Sequence, residues 1–240
     1  MYSSLHWPTK TVRLDRRSSS DFSQRVASAE VSIAELYHEN SKLYPQMVST
    51  LDAMRVKPDS FRRYFVERRA RTVRARAGAS MAVDGPWTLL LSEVSKSMKP
   101  ELFYAVELRL LVGQQLAVHV PITESLQLTK KLSAKELDDL RIALTLIDGL
   151  QESLRGDVFL FVVGNFARND ILFGPRGYRR TLLEAGLATQ QVLNHAQKLD
   201  IRAHARYEFT DHDLDALVEA DGTEEGVLAA VEMEAGHDLC

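Results

Sequence analysis

Apolar and polar positions along the chain follow two periods. Ser133-Ala134-Lys135-Glu136 opens a helical stretch over 133–154, with a hydroxyl and a carboxylate spaced to satisfy each other's orphan amides. Leu137, Leu140, Leu144, Ile147 and Leu150 follow at helical spacing. Residues 158–163, Val-Phe-Leu-Phe-Val-Val, are continuously apolar with Gly164 behind them, the pattern of a strand buried on both faces. The spacing predicts a second long helix over 178–199, with Leu182, Leu183, Leu187, Leu193 and Ala196 on its buried side. From Ile201 to Phe209 the chain alternates, Ile201, Ala203, Ala205, Tyr207 and Phe209 one way and Arg202, His204, Arg206 and Glu208 the other. Thr210 with Asp213 predicts a capped short helix through Leu217, and Val227–Val231 a final strand. Upstream, Val106, Leu108, Leu110 and Val112 alternate with Glu107 and Arg109, which predicts another strand. Helices around a small sheet, in an order that is not simple βαβ alternation, make the expected class α+β.

The chain has 240 residues, 45% of them apolar and 26% charged, enough to fill the core of one large domain and too apolar for a disordered chain. Residues 1–30 read as a flexible N-terminal arm and 31–240 as a single domain; the first twenty residues lack the apolar core of a secretory signal. No apolar run approaches the ~18 residues of a membrane helix, so no membrane partner is expected. The single cysteine, Cys240, rules out disulfides within the chain and fits a reducing cytoplasm. The net charge of −3 hides two local fields. Residues 55–76 carry nine Arg and Lys against Asp59 and Glu67, and the tail from Glu208 onward has no Arg or Lys. Phe61, Tyr64 and Phe65 sit where a helix would bury them, so no nucleic-acid partner is expected.

Phosphate loops, dinucleotide fingerprints, zinc-protease helices and nucleophile elbows are absent from the sequence. The seven histidines are scattered without ligand spacing, so no metal site is expected. Arg71-Thr72-Val73-Arg74 could grip a phosphate monoester, the guanidinium groups binding oxygens bidentately and the hydroxyl adding a donor. A second cluster runs from Arg168 to Arg179, after the buried strand and before the long helix, where a turn built on Gly174, Pro175 and Gly177 is expected.

Four stretches together resemble the nitroreductase-like flavoproteins of the SagB/McbC type. They are Tyr37-His38-Glu39-Asn40-Ser41-Lys42-Leu43, Arg71-Thr72-Val73-Arg74, Phe166 to Gly186 including Phe173-Gly174-Pro175-Arg176-Gly177-Tyr178-Arg179, and Tyr207-Glu208-Phe209 through Gly222 and Glu225. The third is the most specific. The resemblance spans roughly residues 35–232 and implies a nitroreductase-like fold, with a central mostly antiparallel sheet flanked by helices in an intertwined homodimer. It also implies FMN shared between subunits, and an FMN-dependent dehydrogenase that oxidises thiazoline or oxazoline rings to azoles in a modified precursor peptide, beside a cyclodehydratase partner.

On this resemblance Arg71, Thr72 and Arg74 hold the FMN phosphate, and Arg176 and Arg179 add charge toward the flavin or the peptide. Two departures stand out. Leu172-Phe173 replaces the family's Lys-Tyr, so neither position can accept a proton. Pro100 to Glu107 keeps a Tyr and the Val-Glu of the family's Gly-rich stretch without its glycines, putting Glu101, Leu102 and Phe103 where the family brings backbone to the flavin. Tyr178 and His204 are the candidates for a substitute base. The alternative is a non-catalytic homologue, a scaffold or peptide-binding subunit of a biosynthetic complex.

Overall fold

The structure, a computed structural model, describes residues 81, 83, 85–98, 105–121, 124–145, 156–173 and 176–235. Arg71, Thr72 and Arg74, the stretch from Tyr37 to Leu43, the basic segment 55–76, Pro100–Tyr104 and the arm expected over 1–30 lie outside the described residues.

The fully apolar run becomes β4 (Val158–Asn165), buried along its whole length. It is flanked by β1 (Val106–Val112) and β6 (Glu225–Ala235), both antiparallel to it. Beyond β1 lie β2 (Gln115–Val120) and β3 (Ser125–Lys131), and beyond β6 lies β5 (Ile201–Arg206). The sheet order is β3-β2-β1-β4-β6-β5, with every neighbouring pair antiparallel. A bulge between Val162 and Val163 lets β6 carry one extra residue, Leu228, while Val227 and Ala230 still face the same side.

Helices cover both faces. On one side α1 (Trp87–Ser97) and α4 (Arg176–Lys198) pack Leu90, Leu91, Val94, Ala185, Ala188 and Val192 against Leu108, Val162 and Val231. On the other, α2 (Ala134–Thr145) and α5 (Asp211–Val218) pack Leu140, Leu144, Leu214 and Leu217 against Phe159, Phe161 and Val163. This is the expected α+β class with a central antiparallel sheet.

The capping box forms as its chemistry demands. Glu136 Oε2 accepts from Ser133 N at 2.7 Å and Ser133 Oγ at 2.8 Å, while Glu136 N donates to Ser133 Oγ at 3.3 Å. These bonds and the ion pair with Lys130 hold the Glu136 carboxyl at about 2. The helix is described to Thr145; Ile147 and Leu150 lie outside the described residues.

Three expectations are corrected. The buried face of α4 is Thr181, Glu184, Ala185, Ala188, Thr189, Val192, His195 and Ala196, whereas Leu182, Leu183 and Leu187 are 39%, 65% and 53% exposed. Small side chains let the helix axis sit close to the sheet, and close packing outweighs the count of leucines. The strand expected at Val106–Val112 forms as β1, and its Glu107 and Arg109 are both buried, because α5 and the β4–α3 junction cover that side. The alternation from Ile201 stops with the strand at Arg206. Tyr207 is exposed, and Phe209 turns into the core under α2 and α5. Thr210 sits at the N-cap of α5 without a side-chain cap bond.

Candidate functional site at the corner of helices 3 and 4

Between the buried strand and the long helix, residues 166–173 are helical, and Gly174 and Pro175 of the expected turn lie outside the described residues. Asn165, the last residue of β4, caps α3 (Phe166–Phe173): its Oδ1 accepts from Arg168 N at 3.1 Å. Phe166 N donates to Glu224 O at 2.8 Å, so α3 starts against the loop before β6. Within that loop Asp221 accepts from the amides of Thr223, Glu224 and Glu225, and these bonds hold its carboxyl below the ordinary range.

α3 and α4 then meet almost backbone to backbone. A Cβ on Gly177 would overlap the backbone of Asn169 and Asp170, which accounts for glycine here without any catalytic role. Asn169 Nδ2 donates to Thr181 Oγ1 and Glu184 Oε2, both at 3.0 Å, and Arg180 Nε donates to Glu184 Oε1 at 2.7 Å. The Arg180 guanidinium lies 4.3 Å from the Phe173 ring centre, and Tyr178 stacks on Phe166 at 4.8 Å. The Leu-Glu-Ala stretch at 183–185, part of the most specific resemblance, therefore has a structural use: Glu184 locks the two helices and Ala185 lies on the sheet.

The first five residues of α4 hold Arg176, Arg179 and Arg180 and no acid. The positive end of a helix dipole disfavours cations, so this turn suits an anion brought to it from outside. Arg176 and Tyr178 are exposed and Arg179 half-buried. His204 is elsewhere. It lies on β5 opposite Glu232, on the sheet face covered by α2 and α5, while α4 covers the other face. The structure thus gathers Arg176, Tyr178 and Arg179 at one corner and leaves His204 behind the sheet.

Beneath the corner lies a polar group that the sequence reading did not assemble. Arg168 Nη2 donates to Glu107 Oε1 at 2.7 Å, and Arg109 Nη2 donates to Glu107 Oε2 at 3.3 Å and Glu225 Oε2 at 2.9 Å. Asn165 Nδ2 donates to Glu225 Oε1 at 2.7 Å. With the Asn165–Arg168 cap bond these five residues close a ring, and Arg109 Nη1 also donates to Val218 O at the end of α5. The one available signal was a pair of charges, Glu107 and Arg109, within an otherwise apolar strand. Among the described residues no group of three His, Cys, Asp or Glu is placed to hold a metal ion, and no helix is long and apolar enough to cross a membrane.

No protein-family model matches this chain, and no curated protein matches it in sequence. Solved structures do. A chain of the E. coli microcin synthetase McbBCD complex with truncated pro-MccB17 bound superposes with a TM-score of 0.54 at 16% identity, over 68% of this chain and 69% of that one. A protein of Anabaena variabilis assigned as a nitroreductase superposes with a TM-score of 0.55 at 19% identity, over 84% of this chain and 46% of that one. A further assigned nitroreductase, from Ralstonia eutropha, gives 0.50 at 11% identity, over 68% of this chain and 78% of that one.

The chain has the nitroreductase fold. The fold expected from the four resembling stretches is the fold found. The chain spans less than half of the Anabaena protein, 46%, and about two thirds of the microcin synthetase chain, 69%. Within the nitroreductase fold, the described parts of the third and fourth stretches come together, since Phe166 donates its amide to Glu224 and Asn165 its side chain to Glu225.

Proposed function

We propose that this chain is an FMN-dependent oxidoreductase that oxidises thiazoline or oxazoline rings in a modified precursor peptide, working beside a cyclodehydratase. The observation that carries the reading is the acid-free, arginine-rich first turn of α4, on a fold shared with a chain of a peptide-bound microcin synthetase complex. The corner fits an anionic group: of its guanidinium groups, Arg168 is engaged by Glu107 and Arg180 by Glu184, while Arg176 is exposed at the first residue of the helix. Arg71, Thr72 and Arg74 would hold the FMN phosphate, and Arg176 and Arg179 would draw the flavin or an acidic part of the peptide to the corner. FMN, when bound, supplies the two-electron chemistry by taking a hydride from the ring. Tyr178, in its phenolate form, would take the ring proton from its place in the corner and become the phenol. His204, the other candidate base, would serve only a substrate that reaches the opposite face of the sheet. The exposed Leu182, Leu183 and Leu187 on α4 supply an apolar face for the expected homodimer.

The second reading, a non-catalytic peptide-binding subunit, is favoured by Phe173. Its ring is committed to Arg180, and a hydrocarbon at that place moves no proton. Single turnover without oxygen separates the two. FMN-loaded protein mixed with an azoline peptide should bleach one flavin for each ring that loses two hydrogens, and Tyr178→Phe should slow that step. Peptide capture without bleaching would leave the scaffold reading standing.

A further inference from the structure

The ring beneath the corner draws its members from three distant parts of the chain: Glu107 and Arg109, Asn165 and Arg168, and Glu225. It balances two carboxylates against two guanidinium groups. Four of its five members sit on strands, and Arg168 alone belongs to a helix of the corner. The Arg109 side chain is 3% exposed and the Arg168 side chain 17%, so Arg168 is the more accessible of the two cations.

Movement of α3 cannot be absorbed between the helices. Gly177 touches the backbone of Asn169, Tyr178 stacks on Phe166, and Glu184 holds Asn169. A shift of α3 therefore carries the first turn of α4, with Arg176, Tyr178 and Arg179, along with it. We propose that Arg168 is a positioning residue: through Glu107 it clamps the α3–α4 corner to the sheet and so sets where that first turn meets its anionic ligand. The ligand half of this statement rests on the FMN reading above; the clamp itself does not.

The test uses the full chain as wild type, Arg168→Met, Arg168→Lys and Glu107→Gln. Hydrogen exchange reads residues 166–185, with 201–206 as the internal reference, and FMN titration reads the ligand. Arg168→Met and Glu107→Gln should each speed exchange across 166–185 by about tenfold while 201–206 stays unchanged. Arg168→Met should also weaken FMN by about tenfold, and Arg168→Lys, which keeps the charge facing Glu107, should restore much of both. Unchanged exchange at the corner overturns the proposal. So does faster exchange with FMN affinity at the wild-type level, which would make Arg168 structural only. If wild-type protein takes up no FMN, the FMN reading falls and the exchange data alone judge the clamp. Should Arg168→Met fail to fold, Arg168→Lys and Glu107→Gln carry the test.

Discussion

Gly177→Ala sets two forces against each other at the second residue of α4. Its backbone is helical, and alanine is the better helix former by about 1 kcal/mol in a helix interior. Propensity alone would thus make the variant neutral or slightly more stable. The methyl, however, would sit 2.5 Å from the carbonyl oxygen of Asn169, closer still to neighbouring backbone atoms, and nothing there is a side chain that can swing away. Ordinary contact needs about 3.5 Å, so the helices must part by roughly 1 Å, loosening the Asn169–Glu184 bond and the Phe166–Tyr178 stack. Overpacking of this kind costs about 1–3 kcal/mol, which outweighs propensity. Gly164→Ala is the matched comparison. Its methyl would meet Leu228 Cδ1 at 2.6 Å and Thr181 Cγ2 at 2.9 Å, both side-chain ends, so its cost should be the smaller. Urea unfolding reads both: the Gly177→Ala midpoint should fall by roughly 0.5–1 M at unchanged slope. A Gly177→Ala midpoint at or above wild type, or a larger loss from Gly164→Ala, would refute the close-approach argument.

Three further outcomes follow from particular groups. Arg206→Met should cost about 3–5 kcal/mol, because it removes the cation facing the buried Glu232 carboxylate, which accepts from Arg206 at 2.9 Å, and adding Glu232→Gln, which drops the charge and can still accept from Gly156 N, should recover part of the loss in urea unfolding. Glu136 is held at about 2, below its unfolded value, so its contribution is present above the unfolded carboxylate range and fades as pH falls toward 2. Glu136→Gln should melt below wild type at pH 6, with the gap closed at pH 2. Burial raises the Asp215 carboxyl above its unfolded value, so its ionisation opposes folding as pH rises. Asp215→Asn can still accept from Val227 N, so it should exceed wild-type stability at pH 7 and match it below the unfolded Asp range.

How much of this was legible in the sequence depended on whether the signal was local. The apolar run of β4, the Ser133–Glu136 box and the alternation of β5 each carry their cause within a few residues, and each formed. The helix read over 178–199 spans 176–198, but its buried face is set by how closely it can approach the sheet, a property of the partner surface rather than of its own leucines. α1, β2 and β3 went unread because apolar residues there mix both periods. At the site, the arginines of the α4 first turn were visible as a cluster, whereas α3, just ahead of the expected turn, went unread; Gly174 and Pro175 of that turn lie outside the described residues. The ring of Glu107, Arg109, Asn165, Arg168 and Glu225 could not be read, because only the strand order β1-β4-β6 brings its parts together.

The proposed function depends first on FMN binding through Arg71 and Arg74. The most direct measurement is FMN retained by the full-length chain after reconstitution and removal of free flavin, compared with the Arg71→Ala, Arg74→Ala double variant. Saturable retention approaching one FMN per chain is expected, lost in the double variant while the chain stays folded. Wild-type protein that retains none, or a double variant that retains as much as wild type, would contradict it.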